Sequence, residues 1–170
     1  KPDAKALVDA LRSRGIRTVL LSGDAADTTA SIAKAIGVDE FHAEVLPAQK
    51  AQTVKAYQQN GKTVAMVGDG VNDAPALAAA NLGIALGTGA DLAMQAAPVV
   101  VMHPSLLRIM EVFDIAAKAR RVVSQNLFWA FAYNVAGITL AATGILNPIF
   151  AAAAMVLSSV SVIGNSRRLQ

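Results

Sequence analysis

The chain has 170 residues, of which 54% are hydrophobic, and its 15 Lys and Arg exceed its 12 Asp and Glu to give a net charge of +3. This composition is too apolar for one wholly soluble domain, so we expect part of the chain to lie in lipid. The absence of cysteine excludes disulfides and thiolate metal sites made by this chain alone, and the lack of basic patches interleaved with aromatic residues argues against a nucleic acid partner.

Residues 1–104 alternate between amphipathic stretches and short apolar runs. Pro2 and an apolar stripe predict a first helix that ends near Gly15. Further helices are predicted at 25–36, 47–59, 74–80 and 90–96, strands at 16–21, 41–45, 63–67, 82–86 and 98–102, and a glycine-rich turn at 87–89. This alternation predicts right-handed crossovers and a doubly wound parallel α/β sheet over residues 1–104.

Polar residues follow the first two strands of this pattern. Ser22, Gly23 and Asp24 close the first strand, and read alone they are turn residues. Lys50 lies in the first turn of the helix that begins at Pro47, where the helix dipole disfavours a cation. It therefore needs either a nearby anion or full solvation, and a solvated surface lysine is the simpler alternative.

A turn with two carboxylates joins the third strand to a helix in the sequence TVAMVGDGVNDAPAL. Gly68 and Gly70 bracket Asp69 and permit a tight path that exposes this carboxylate at the end of the strand. Asn72 is a candidate helix N-cap, and Asp73 follows it. Two close carboxylates repel unless a cation or a proton lies between them, and hard oxygen donors suit a Mg²⁺ ion that also binds a substrate phosphate. The alternative is that both carboxylates only cap a turn and a helix start.

The second part of the chain predicts a membrane segment. A helical stalk at 105–121 leads into residues 122–166, which contain no charged side chain. A loop at Asn147-Pro148 interrupts them, so residues 122–170 are predicted to form a two-helix transmembrane hairpin with spans at 125–146 and 148–166. The alternative is a buried hairpin of a soluble protein.

Arginine pairs flank this predicted hairpin. Arg120 and Arg121 precede it, and Arg167 and Arg168 follow it. Since positive residues favour the cytoplasmic side of a membrane, both ends are predicted to be cytoplasmic and the loop to lie outside.

Four polar or sulfur-containing residues lie inside the hairpin. Tyr133 and Asn134 are too deep in the first span for an interfacial belt. Met155 and Ser159 are one turn apart on the second span and share a face. Packing between transmembrane helices is the alternative explanation for all four.

The string GDGVNDAPAL resembles the hinge motif of P-type ATPases, which belong to the haloacid dehalogenase superfamily. LLSGD, which ends at Asp24, resembles the family's Thr-Gly-Asp motif with serine for threonine. LPAQK, which ends at Lys50, resembles the segment whose lysine contacts the aspartyl phosphate. The resemblance implies that Asp69 binds the catalytic Mg²⁺. The other residues that it implies in this site are Ser22, Gly23, Asn72 and Asp73.

YN in the first span and MxxSS in the second resemble the last two membrane helices of copper-exporting P-type ATPases. This implies that Tyr133, Asn134, Met155 and Ser159 help to form a site for transported Cu⁺. A thioether is a soft ligand that suits Cu⁺. Zinc-type relatives carry charged residues in these spans, so copper is preferred over zinc or cadmium.

The resemblance implies the C-terminal part of an ATP-driven metal transporter of a bacterial inner membrane. Its cofactors would be Mg²⁺ and ATP, and a missing domain would bind most of the ATP. Its partners would be membrane lipid, the transported Cu⁺ and the missing N-terminal part of the same transporter. The chain opens at Lys1 without methionine and lacks the Asp-Lys-Thr-Gly-Thr strand with the nucleophilic aspartate, so we expect it to be inactive alone. A membrane-anchored phosphatase of the same superfamily and a non-catalytic membrane fragment are the alternatives.

Overall fold

The computed structural model describes residues 1–87, 91–144 and 148–169. The chain divides into two compact units, Lys1–Met110 and Glu111–Gln170. Most of the predicted turn at 87–89, and the whole of the predicted loop residue Asn147, lie outside the described residues.

The first unit alternates helices and strands as predicted. Its helices are α1 (Ala4–Ser13), α2 (Ala26–Ile36), α3 (Pro47–Gln59), α4 (Ala74–Ala79) and α5 (Asp91–Ala96). Its strands are β1 (Val19–Leu21), β2 (Glu40–His42), β3 (Ala65–Gly68), β4 (Leu82–Leu86) and β5 (Val99–Val101). The bounds of α3 and β4 match the prediction, and the strands β1 and β2 are shorter than predicted.

All strand pairs are parallel, but the strands form two sheets rather than the one continuous sheet that the sequence predicts. β1 pairs with β2, and β3, β4 and β5 pair in that order. Within the described residues, no strand pairs with the second edge of β1 or of β3. The period of an apolar run predicts that a strand forms but not which strand lies beside it, so the break could not be read from the sequence.

The core of this unit lies between the three-stranded sheet and the helices α4 and α5. Leu77 of α4 packs with Ala85 of β4, and Met66 and Met94 cover them. Ile84 and Leu77 are at most 1% exposed, and burying such a side chain contributes about 1.5–3 kcal/mol. This packing fixes where β3 ends and α4 begins.

Asp3 ties the start of the chain to the segment before the long helix that follows. Its carboxylate accepts hydrogen bonds from the Ser105 hydroxyl and the Leu106 N–H at 2.6 Å and from the Leu107 N–H at 3.4 Å. These bonds, the one from Ser105 above all, hold the pKa of Asp3 below its usual value of 3.8, although partial desolvation opposes them.

Two long helices follow, α6 (Arg108–Ala142) and α7 (Pro148–Ser166). The 35 residues of α6 are continuous, so the predicted stalk and first span form one helix. It ends before the predicted limit of 146 because Gly144 adopts a left-handed conformation with φ 73°. Over the described residues, none of the helices is long and apolar enough to count as a candidate membrane span. The transmembrane hairpin therefore stays a prediction.

Candidate functional site

The turn after β1 is held by its own polar side chains. The Ser22 hydroxyl donates to the Asp24 carboxylate at 2.8 Å, and the Asp24 N–H donates to the Ser22 hydroxyl oxygen at 3.2 Å. The Ser22 N–H donates to the His42 carbonyl, and the Val45 N–H donates to the Ser22 carbonyl. The backbone of this turn is thus fixed against the end of β2, while Asp24 is exposed.

Two residues that the sequence did not single out support this turn. The buried Thr29 hydroxyl donates to the Asp24 carbonyl at 3.3 Å, and the Glu44 N–H donates to the same oxygen at 2.9 Å. Glu44 reaches it in a left-handed conformation with φ 54°. Thr29 could have been found because it shares the inward face of α2 with Ala33, one turn away. No sequence signal marks Glu44.

Lys50 and Asp73 form an ion pair at the end of β3. Lys50 Nζ lies 2.8 Å from Asp73 Oδ1, and the two side chains are only 15% and 13% exposed. The anion that the position of Lys50 requires is therefore Asp73. Such a pair is less screened by solvent and salt than a surface pair, so both charges are held in place.

Gly68 lets Asp73 approach β3. A Cβ at position 68 would lie 2.7 Å from the Asp73 Cβ. Neither Gly68 nor Gly70 has a positive φ, so the tight path of this turn does not depend on a left-handed backbone conformation at either glycine. At Gly68 the reason for glycine is space, because the Asp73 side chain occupies the position that a Cβ would take.

The prediction that Asn72 caps the helix is wrong. Val71–Asp73 forms a 3-10 turn, Asp73 precedes α4, and Asn72 is exposed. Asp73 Oδ2 accepts the Gly70 N–H at 3.2 Å. Since Lys50 binds the other oxygen, both oxygens of this carboxylate are engaged within the chain.

Asp69 is the exposed carboxylate of the motif. It lies directly after β3, where ligands bind in open parallel sheets. Mg²⁺ commonly takes one or two carboxylates together with water and substrate phosphate, so Asp69 fits as one ligand. Among the described residues, no three His, Cys, Asp or Glu side chains converge on one point. Water, phosphate or groups beyond these residues would complete the shell.

The contacts of the described residues join Ser22 to Asp24 and Lys50 to Asp73, but they do not join these two pairs to each other. The predicted roles of these residues, of Gly23 and of Asp69 stay predictions.

The four predicted metal-site residues of the second unit lie on both helices. Tyr133 is half-buried, with its ring centroid 6.0 Å from that of Trp129, and Asn134 is exposed. On α7, the Ser159 hydroxyl donates to the Met155 carbonyl at 3.0 Å, and Met155 is 74% exposed. The described contacts bring Met155 and Ser159 together but do not join them to Tyr133 or Asn134.

Residues 1–81 match the family model of the haloacid dehalogenase-like hydrolases. The copper-exporting P-type ATPase of Staphylococcus epidermidis is 48% identical over 170 residues, which are 100% of this chain and 21% of that protein. The cation-transporting P-type ATPase B of Mycobacterium bovis is 45% identical over 100% of this chain and 23% of its own length. The crystal structure of a zinc-transporting PIB-type ATPase in the E2.Pi state is similar with a TM-score of 0.94 and 32% identity, over 99% of this chain and 28% of that one.

The relatives are thus P-type ATPases, which are cation-transporting ATP hydrolases, and the resemblance inferred from the motifs is confirmed. The chain spans less than a quarter of the length of the curated relatives that it matches.

Proposed function

We propose that the chain is the C-terminal part of an ATP-driven Cu⁺ exporter that works through an aspartyl phosphate. The observation that carries the proposal is the end of β3, where the exposed Asp69 stands beside an Asp73 already held by Lys50 and the Gly70 N–H. One acidic residue is left for a cation while the other is neutralised, which suits a site that receives both Mg²⁺ and a phosphate.

Each residue has a role in this proposal. Asp69 supplies a Mg²⁺ ligand, and a bound Mg²⁺ would neutralise charge on the phosphoryl oxygens. Lys50 supplies a positive charge whose position Asp73 fixes. The Ser22 hydroxyl can rotate from Asp24 to donate to a phosphate oxygen.

The nucleophilic aspartate of this proposal belongs to another part of the transporter. It would lie on a strand of its own, and β1 and β3 each have an edge that no described strand occupies. ATP would be bound mainly by a further domain of the same transporter.

The second unit is proposed to be a transmembrane hairpin with both ends in the cytoplasm of a bacterial cell. Residues 122–166 carry no charge, and arginine pairs stand at 120–121 and 167–168. Large apolar side chains are exposed along both helices. They include Phe128, Phe131, Ile138, Met155, Val160 and Ile163. Such a surface needs a lipid or protein cover.

Copper is proposed as the transported ion because of Met155 and the relatives. Met155 is the soft donor of the four predicted residues, and its thioether is on an exposed side chain. A copper-exporting relative is 48% identical, whereas the similar zinc-transporting structure is 32% identical.

Phosphoenzyme formation tests the catalytic part of the proposal. In a chimaera, the chain would replace the matched 21% of the Staphylococcus epidermidis relative. The incorporation of phosphate from labelled ATP into this chimaera would be measured. Asp69→Asn should abolish incorporation, since the amide is a poor Mg²⁺ ligand. Asp9→Asn is the matched control, because Asp9 lies in an exposed pair with Lys5 and should be dispensable. Wild-type incorporation in Asp69→Asn would refute the assigned role.

Met155→Leu tests the choice of metal. Leucine conserves volume and apolarity, so packing should change by less than about 1.5 kcal/mol. We expect Cu⁺-stimulated ATPase activity of the same chimaera to fall while its expression and melting temperature stay near wild type. Unchanged activation by Cu⁺, or activation of the wild type by Zn²⁺ alone, would remove copper as the substrate.

A further inference from the structure

A cluster of amide and hydroxyl side chains joins α6 to α7. Asn126 Nδ2 donates to Ser166 Oγ at 3.0 Å. Asn165 Nδ2 donates to Asn126 Oδ1 at 2.9 Å and to Gln125 Oε1 at 3.2 Å. All four side chains are partly buried. We call Gln125, Asn126, Asn165 and Ser166 the interhelix clamp.

The clamp provides hydrogen-bond partners for amide groups that would otherwise be unsatisfied in an apolar part of the chain. It lies within residues 122–166, which contain no charged side chain. An amide removed from water without a hydrogen-bond partner loses free energy, and helices in an apolar surrounding recover it by bonding across their interface. The clamp therefore favours one arrangement of the two helices over others.

The clamp also determines which residues lie at the same level. The helices are in contact at Asn126 and Ser166, near the start of the predicted first span on α6 and at the end of α7, so they run antiparallel. Each helix rises about 1.5 Å per residue, so equal steps from the clamp reach equal levels. One turn away, Ala130 lies level with Val162. Two turns away, Tyr133 lies level with Ser159.

Half-buried side chains continue along both helices beyond the clamp. Buried or half-buried side chains recur every three to four residues on both helices. On α6 they include Val122, Asn126, Ala130, Tyr133 and Gly137, and on α7 they include Ser166, Val162, Ser158 and Ala154. Two turns return nearly to the same face of a helix. The face that carries the clamp is therefore the face that carries Tyr133.

We propose that Asn126 and Asn165 are positioning residues that fix the register of α6 against α7. They hold Tyr133 level with Ser158 and Ser159, and Met155 follows one turn further along α7. The site that they position is the metal site of the proposed function, on which this part of the inference rests.

Cross-linking tests the register without any metal. The chain has no cysteine, so Ala130→Cys with Val162→Cys in the full chain gives one defined thiol pair. A short bifunctional thiol reagent should join this pair efficiently. Ala130→Cys with Val160→Cys should react poorly, because Val160 is 61% exposed and lies off the half-buried face of α7. Equal cross-linking of both pairs would overturn the assigned register.

Removing the clamp should reduce the first cross-link. In the background of Asn165→Leu or Asn126→Leu, we expect the yield of this cross-link to fall about fivefold. This is the change in an equilibrium constant that the loss of one net hydrogen bond produces. Ser161→Ala is the control, since Ser161 is exposed and, among the described residues, its hydroxyl donates to the Leu157 carbonyl of its own helix. Asn165→Ser, which shortens the donor, replaces Asn165→Leu if that variant does not accumulate. An unchanged cross-link in all clamp variants overturns the proposal.

The metal readout separates positioning from a general structural role. In the chimaera described above, a displaced site should raise the KM for Cu⁺ about tenfold in Asn165→Leu and leave kcat within about twofold. A fall in kcat at unchanged KM overturns the positioning role. Failure of every metal to activate the wild type would instead overturn the proposed function, and the cross-link would still decide the register.

Discussion

Gly23 and Gly68 occupy similar places in their motifs, each directly before an aspartate at the end of a strand, yet the structure distinguishes them. A Cβ at position 23 would lie 3.6 Å from the Val45 carbonyl oxygen, an ordinary contact. A Cβ at position 68 would lie 2.7 Å from the Asp73 Cβ. Only the second glycine is required by packing, and it is required by the residue that holds Lys50.

We expect Gly68→Ala to destabilise the first unit by about 1–3 kcal/mol, because the added methyl group displaces Asp73 from Lys50. Gly23→Ala is the control and should stay close to wild type. Denaturant unfolding of the chain measures both. Equal stability of the two variants would show that Asp73 can shift without cost.

The sequence predicted the positions of these side chains better than their contacts. Asp69, Lys50 and Ser22 lie at strand or helix ends as expected from the apolar periodicity. The sequence did not show whether Lys50 would bind Asp69 or Asp73. That choice depends on the 3-10 turn at Val71–Asp73, which points one carboxylate at Lys50 and leaves the other exposed.

At the scale of elements, α1 and the start of α6 are joined through one carboxylate. Asp3 precedes α1 and accepts hydrogen bonds from three groups of the segment just before Arg108, where α6 begins. Nothing in the periodicity of either helix predicts this contact, because it joins the two ends of the first unit.

Acid should weaken this contact. The pKa of Asp3 is lowered in the folded chain, chiefly by the Ser105 hydroxyl. Asp3 therefore stabilises the fold at pH values above its unfolded pKa, and this stabilisation is lost as the pH falls through its lower folded pKa. The free energy of unfolding should therefore decline below pH 3.8, and part of this decline should be missing in Asp3→Asn. Denaturation of both proteins across this range, with Asp9→Asn as control, measures it. An identical decline in Asp3→Asn would contradict the assignment.

The bounds of an element were predicted correctly where its apolar periodicity and its start and stop residues indicate the same ends. Pro47 starts α3 and the Asn60-Gly61 turn follows it, so both bounds were found. The end of α6 was missed because the uncharged sequence continues past Gly144, and a single left-handed glycine stops the helix.

For the whole molecule, the second unit presents more large apolar side chains to its surroundings than a free helix pair would tolerate in water. The proposed hairpin gives these side chains a lipid environment. The arginine pairs then determine its direction.

Cysteine labelling tests this topology. In intact cells, Asn147→Cys should react with a membrane-impermeant thiol reagent, and Gln170→Cys should react only after the membrane is opened. The chain has no cysteine of its own, so the background is low. Labelling of both positions from outside would refute the hairpin.

β1 and β3 each have an edge that no described strand occupies, and this has a consequence for work with the isolated chain. A strand edge exposes a row of backbone donors and acceptors that pair readily with another strand. On β3 the apolar Ala65 and Val67 are exposed beside that edge. A second copy can supply the pairing that the rest of the proposed transporter would supply, so the isolated chain should aggregate. Its solubility should improve when these two strand edges are protected.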